Sequence, residues 1–319
     1  MNLLIVLTLP ERVRNRYLER LREAFPELKV DLVDHHSKVG PYIGSADILV
    51  AFGVMLADHV FKEGKRLKWV QALGSGVDGI VDQPSLRENV LVTNLHGLHG
   101  DPVSEAAIGA MLALSRDLPR VLRNQSRHAW DRFPARLLKD KTAGIFGVGV
   151  IAEALAPKCK AFGMRVVGIS SAPRPVPGFD LMFRRDELME AVRELDYLIL
   201  LTPYSPATRG IVDAKVLAAM QPTSYLVNLA RGGVVEEAAL IDALRSARIA
   251  GAALDVFAQE PLPPDHPFWD MEQVIVTPHL GGFSDVYADH ALPIVEANIR
   301  RFLAGDISNM INVVRRAQG

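Results

Sequence analysis

"TAGIFGVGVIAEALA", residues 142–156, decides the fold. An apolar run from Ala143 to Phe146 meets Gly147-Val148-Gly149, and an alanine-rich, helix-forming stretch follows. Strand, glycine turn and helix in that order aim backbone N–H groups and a helix N-terminus at one point, which suits a pyrophosphate. Gly147 permits the tight turn, and Gly149 permits the close approach of phosphate. Ala152 stands where a dinucleotide fingerprint carries its third glycine, and it is still small enough for helix-strand packing. A lone glycine loop is a weak signal. Its place between a buried strand and a helix is what raises it.

The next strand, "MRVVGI", ends in Ser170-Ser171-Ala172-Pro173-Arg174. A carboxylate about 20 residues beyond the glycines would bind the ribose hydroxyls of NAD. None stands here. Two hydroxyls and a guanidinium suit a 2′-phosphate instead, so NADP(H) is expected to be favoured over NAD(H).

The same alternation extends along the chain. Upstream, "LLIVLT", "LKVDLV", "ADILVAF", "LKWVQAL" and "VLVTN" read as strands, with helical patterns at 11–25 and 56–66. Downstream, "DYLILLT", "SYLVNLA", "GAALDVF" and "QVIVTPH" bring the strands of the second series to six, a complete doubly wound dinucleotide domain. The fold class is therefore α/β, with two doubly wound parallel-sheet domains. Between them, "DPVSEAAIGAMLALSRDLPRVLRNQSRHAW" predicts one long helix capped by Asp101, with Pro102 and Glu105 in its first turn. An amphipathic helix at about 285–304 is expected to pack back on the first domain.

Composition narrows the function classes. Among 319 residues, 49% are apolar and 23% charged, as in an ordinary globular protein. A net charge of −1 offers no electrostatic case for nucleic acid or an anionic membrane. Cys159 is the single cysteine, so no internal disulfide and no cysteine-based metal site is expected, and a reducing cytoplasm is the natural setting. "MNLLIVLTLP" lacks a basic leader and reads as a first buried strand.

Three strand ends carry candidate chemistry. "LVNLARGG" supplies Arg231, "LDVFAQEPL" supplies Glu260, and "VIVTPHLGG" supplies His279. Arginine offers a planar fork for a carboxylate, and histidine exchanges protons near neutral pH. A carboxylate beside histidine favours the imidazolium and holds one tautomer. "ALGSGVD" places Gly74, Ser75 and Gly76 in a glycine-rich turn after a strand, a pattern that serves either as an anion-binding nest or as a plain connection.

These residues, together with "GIFGVG", "LLTPYSPATRGIV" and "GAALDVFAQEPLPPDHPFW" in order and spacing, make the chain resemble the D-isomer-specific 2-hydroxyacid dehydrogenases, the group of glyoxylate/hydroxypyruvate reductases and phosphoglycerate dehydrogenases. The resemblance covers nearly the whole chain. It implies a Rossmann cofactor domain, 98–287, inserted in a flavodoxin-like substrate domain formed by 1–97 and 288–319. It implies reduction of a small 2-oxo acid to the (R)-2-hydroxy acid by hydride transfer from NAD(P)H. In that reaction Arg231 holds the substrate carboxylate, His279 is general acid and base, and Glu260 is its partner. Gly74, Ser75 and Gly76 would grip the carboxylate. Val150 and Ile151 would join the glycines at the phosphates, and Thr202 and Pro203 would line the adenosine side. Leu229, Ala230, Asp255 and Gly281 would lie by the nicotinamide. The resemblance calls for no metal and implies a homodimer through the long helix.

Departures from the family pattern sharpen the expectations. Phe52 lies in a region where phosphoglycerate dehydrogenases carry an arginine, which argues against a phosphorylated substrate. His96 and His99 replace the usual proline and asparagine and are expected to be surface loop residues, the alternative being that they face the cofactor cleft and shape substrate choice, while Trp130 is expected to pack in a core. The alternative from another class is a nucleotide-sensing protein like the family's transcriptional co-repressors, which would bind the dinucleotide without turnover.

Overall fold

Short runs of branched and apolar residues form buried parallel strands. The computed structural model describes residues 1–315. The chain divides into unit 1, Met1–Leu98 with the segment from Asp285 on, and unit 2, His99–Ser284.

Unit 1 begins β1 (Asn2–Val6), α1 (Glu11–Ala24), β2 (Lys29–Val33), α2 (Gly40–Ile43), β3 (Ile48–Ala51), α3 (Asp58–Glu63), β4 (Trp69–Ala72) and β5 (Leu91–Thr93). Unit 2 continues with α4 (Gly100–Ser115), α5 (Leu118–Ser126), β6 (Thr142–Phe146), α6 (Val150–Ala161), β7 (Arg165–Ser170), β8 (Leu181–Arg184), α7 (Leu188–Ala191) and β9 (Tyr197–Leu200). It closes with α8 (Ala214–Ala219), β10 (Tyr225–Asn228), α9 (Glu237–Arg245), β11 (Gly251–Leu254) and β12 (Val274–Val276). The chain then returns to unit 1 through α10 (Tyr287–Leu303) and β13 (Val313–Arg315).

The sheet of unit 1 runs β13-β5-β4-β3-β1-β2, and that of unit 2 runs β12-β11-β10-β9-β6-β7-β8. The pairings are parallel except β13 with β5. Both faces of each sheet are buried, so strands read as continuous apolar runs rather than alternating ones. In β1, Leu3 and Ile5 enter one core with Trp69 and Ile299, while Leu4 and Val6 enter the opposite core with Leu49 and Val70. In unit 2, the order reverses between β6 and β9, and open α/β sheets bind ligands beside such a reversal, at the carboxyl ends of the strands. The Gly147 turn leaves the end of β6 at that place.

Four expectations are corrected. The long helix is two helices. Pro119 cannot continue a helix interior, so the chain turns at Asp117, with φ of 49°, and starts α5 with the proline in its first turn. Asp101 is not the cap. His99 precedes α4, and the Asp101 carboxylate pairs instead with Lys158 of α6 at 3.2 Å. The second sheet has a seventh strand, β8, whose outward residues hid it in the sequence. Trp130 is 94% exposed rather than packed in a core.

Candidate active site

In unit 2 the Gly147 loop is shaped by close backbone approach. Gly147 has φ of 102°, and a Cβ there would lie 2.5 Å from the backbone nitrogen of Thr202. The left-handed conformation and this proximity each demand glycine. A Cβ on exposed Gly149 would meet nothing within 4 Å, so open space lies in front of the N-terminus of α6. Val150 is exposed and Ile151 half-buried at that end, while Ala152 is fully buried against β6 and α4. Ser170 ends β7 and Ser171 follows it, and exposed Arg174 pairs with Glu153 in the first turn of α6. Thr202 is buried and Pro203 exposed at the end of β9.

The candidate catalytic residues sit on three loops that glycines allow to pack tightly. A Cβ on Gly232, next to Arg231, would lie 1.9 Å from the carbonyl carbon of Phe257, so the Arg231 turn runs directly over the loop that carries Glu260. Asn228, buried at the end of β10, fixes that turn. Its Oδ1 accepts from Ala230 N at 3.1 Å, and its Nδ2 donates to Arg231 O at 3.1 Å. The Arg231 Nη1 donates to Ala230 O at 2.7 Å.

His279 Nδ1 and Glu260 Oε2 are 2.7 Å apart, and the other oxygen of Glu260 accepts from Phe257 N at 3.0 Å. Burial by itself raises the Glu260 carboxyl, but the His279 hydrogen bond and charge, the Phe257 N–H and the Arg231 charge outweigh it and bring it below its ordinary value. The carboxylate is therefore ionised beside the imidazole.

His279 holds a left-handed backbone, φ 52°, which histidine tolerates better than most residues. Asp255 enforces it. Its backbone oxygen accepts from His279 N at 2.9 Å. Its buried carboxylate accepts from Thr277 Oγ1 at 2.5 Å, Leu280 N at 2.8 Å and Gly281 N at 2.8 Å. A Cβ on Gly281 would come within 2.9 Å of Asp255 Oδ2 and 3.1 Å of Leu229 Cδ2, so glycine is needed for the contact. The Arg231, Glu260, His279, Asp255, Leu229 and Gly281 positions thus form one cluster, braced by Asn228 and Thr277. Sequence reasoning missed those two. The signal was present: each is a polar residue closing an apolar strand.

His99 is also brought to this cluster, since a Cβ on Gly282 would lie 2.8 Å from its Cδ2. It is half-buried, against the expectation of a surface loop, whereas His96 is exposed as expected. The half-buried turn of Gly74, Ser75 and Gly76 belongs to unit 1 and follows β4. Phe52 directly follows β3, with its ring centroid 6.1 Å from that of Tyr287. No group of three or more His, Cys, Asp or Glu side chains arranged to hold a metal occurs among the described residues. No helix among them is long and apolar enough to cross a membrane.

The family model for the D-isomer specific 2-hydroxyacid dehydrogenase NAD binding domain matches residues 108–281. The D-3-phosphoglycerate dehydrogenase of Methanocaldococcus jannaschii is 34% identical over 279 residues, covering 85% of this chain and 52% of that protein. The chain spans about half the length of that curated relative. A D-isomer specific 2-hydroxyacid dehydrogenase family protein of Aeromonas salmonicida is 32% identical, with a TM-score of 0.83 and coverage of 95% of this chain and 96% of that one. The NADPH-dependent glyoxylate/hydroxypyruvate reductase of Sinorhizobium meliloti, solved with NADP and sulfate, is 29% identical, with a TM-score of 0.83 and 98% of each chain covered. The chain belongs to the D-isomer specific 2-hydroxyacid dehydrogenase family.

Proposed function

We propose that the protein reduces a small 2-oxo acid of the glyoxylate/hydroxypyruvate class to the (R)-2-hydroxy acid, with NADP(H) preferred over NAD(H). The observation that carries this reading is the 2.7 Å pair of His279 with an ionised Glu260, on loops packed against the one that carries Arg231. The open front of Gly149 and the small, uncharged end of β7 fit a dinucleotide. Gly147, Gly149, Val150 and Ile151 would hold its phosphates, and Ser170, Ser171 and Arg174 would hold a 2′-phosphate. Thr202 and Pro203 would line its adenosine side, and Leu229, Ala230, Asp255 and Gly281 its nicotinamide side. The bound nicotinamide would supply the hydride.

The chain's own residues do the rest. The planar Arg231 fork binds the substrate carboxylate and orients the carbonyl, while its charge stabilises the oxygen as it becomes negative. Protonated His279 gives its proton to that oxygen in reduction and takes it back in oxidation. Glu260 holds the tautomer and the orientation of the imidazole through its contact with Nδ1. The Gly74–Gly76 turn contributes backbone N–H groups to the carboxylate. Apolar Phe52 supports a substrate without a phosphate.

A panel of 2-oxo acids against both cofactors tests this reading. Glyoxylate or hydroxypyruvate should be reduced, a phosphorylated 2-oxo acid should not, and kcat/KM should favour NADPH over NADH roughly tenfold, the ratio that one charged hydrogen bond supplies. Silence across the panel despite tight NADPH binding would replace catalysis with nucleotide sensing. Equal use of NADH would remove the role given to Ser170, Ser171 and Arg174.

The same reading makes the protein a cytoplasmic homodimer. Burial pushes the Cys159 thiol up to about 12, which keeps it unreactive. Leu118, Val121 and Leu122 of α5 are exposed together with Trp130 and Leu137. Leu118, Val121 and Leu122 fall at i, i+3 and i+4, on one face of α5. An apolar patch of that kind suits a partner surface. Light scattering should return twice the 35.0 kDa chain mass, and Leu122→Glu should shift it toward the monomer. A wild-type monomer at micromolar concentration would reject the assignment.

A further inference from the structure

Three successive carbonyls in unit 1 accept hydrogen bonds from residues behind the Gly74–Gly76 turn. Leu73 O accepts from the buried Tyr287 hydroxyl at the start of α10. Gly74 O accepts from Leu95 N at 3.0 Å. Ser75 O accepts from Asn94 Nδ2 at 2.6 Å. In a trans peptide the C=O and the following N–H point in opposite directions. Holding the Leu73, Gly74 and Ser75 carbonyls therefore turns the N–H groups of Gly74, Ser75 and Gly76 away from Tyr287, Leu95 and Asn94, each within its own peptide plane.

Tyr287 is the most distant of these donors in sequence and the only one supplied by α10. That helix is fixed independently. Ala291, Leu292, Val295 and Ile299 lie in the core of unit 1. Buried Asn298 donates to Gln71 Oε1 at 3.0 Å, two residues before Leu73 on the same run of chain. The Tyr287 ring faces Phe52, and Phe52 Cδ1 lies 4.0 Å from where a Cβ on Gly74 would sit. The phenol is thus held from two sides with its hydroxyl on the peptide that opens the turn.

We propose that Tyr287 is a positioning residue for substrate: it fixes the Leu73-Gly74 peptide so that the turn presents its amides to the 2-oxo acid carboxylate. The proposal rests on the reading of Gly74, Ser75 and Gly76 as the carboxylate grip. Tyr287→Phe keeps the buried ring and deletes only the hydroxyl, which leaves the Leu73 carbonyl without its donor and frees the peptide to rotate.

The test measures steady-state kinetics of Tyr287→Phe with glyoxylate and hydroxypyruvate, and inhibition by oxalate, which presents the same carboxylate but cannot be reduced. KM for the oxo acid and Ki for oxalate should both rise about tenfold, with kcat and the KM for NADPH within twofold of wild type. Unchanged KM and Ki would overturn the proposal. So would an equal rise in the KM for NADPH, which marks a general loss of structure. Where the variant is too unstable for kinetics, the oxalate-induced rise in melting temperature reads the same affinity, and a rise equal to that of wild type overturns the proposal. If wild-type protein binds oxalate but reduces no oxo acid, the proposed reaction fails while oxalate affinity still decides the tyrosine's role. If wild-type protein binds no oxalate, the carboxylate grip and the role of Tyr287 fall together.

Discussion

His279→Asn is expected to lower kcat for 2-oxo acid reduction about 10²- to 10⁴-fold, the usual worth of a general acid, with the KM for NADPH changed less than about threefold. Asparagine isolates the chemistry from the fold. Position 279 has φ of 52°, and asparagine accepts that conformation as readily as histidine does. The bonds from residues 279, 280 and 281 to Asp255 come from backbone N–H groups, so the loop keeps its anchors. What is lost is a group able to exchange a proton near neutral pH. Activity within tenfold of wild type, followed as NADPH absorbance, would remove His279 from the mechanism.

The pair with Glu260 carries a pH signature in stability. The folded-state carboxyl of Glu260 is lowered, so its contribution is complete above the unfolded carboxylate range and is lost as pH falls through the lowered folded value.

Arg231→Ala is expected to damage both constants, with kcat down about 10²- to 10³-fold and KM for the oxo acid up about 10- to 100-fold. The two losses have separate causes. The carboxylate loses a charged fork in the ground state, and the reacting oxygen loses a positive neighbour only as charge develops. Lysine at 231 should restore part of kcat but little of KM, since it keeps the charge without the paired geometry. A variant with normal KM would show that the carboxylate is gripped elsewhere.

The strands, the glycine turn and the order of the catalytic loops were legible because each rests on a local pattern: a buried run, a φ that only glycine serves, a charged residue after a strand. The contacts that lock these loops were not. Asp255 is a single acidic letter in "LDVF", and nothing adjacent says that its carboxylate gathers donors from Thr277, Leu280 and Gly281. Tyr287 and Leu73 are separated by more than 200 positions, and their bond exists only once α10 returns to unit 1. The break at Asp117 was readable from Pro119, yet the apolar pattern on both sides masked it. Strand β8 was hidden because an edge strand with outward residues lacks the buried run that marks a central one.

The return of α10 and β13 to the first sheet also dictates an order of assembly. During synthesis, His99–Ser284 can complete its own core as soon as it has left the ribosome. The sheet begun by Asn2 must wait, because Leu292, Val295 and Ile299 fill one of its faces and Val313 pairs beside Thr93. The nascent chain therefore carries an unfinished apolar surface at its front while its middle is already folded, an interval in which chaperones have something to hold. Joining the two ends in a permuted chain opened within 128–135 would make that first sheet contiguous and pass the wait to the second unit, whose core takes Ala107, Met111 and Leu114 of α4.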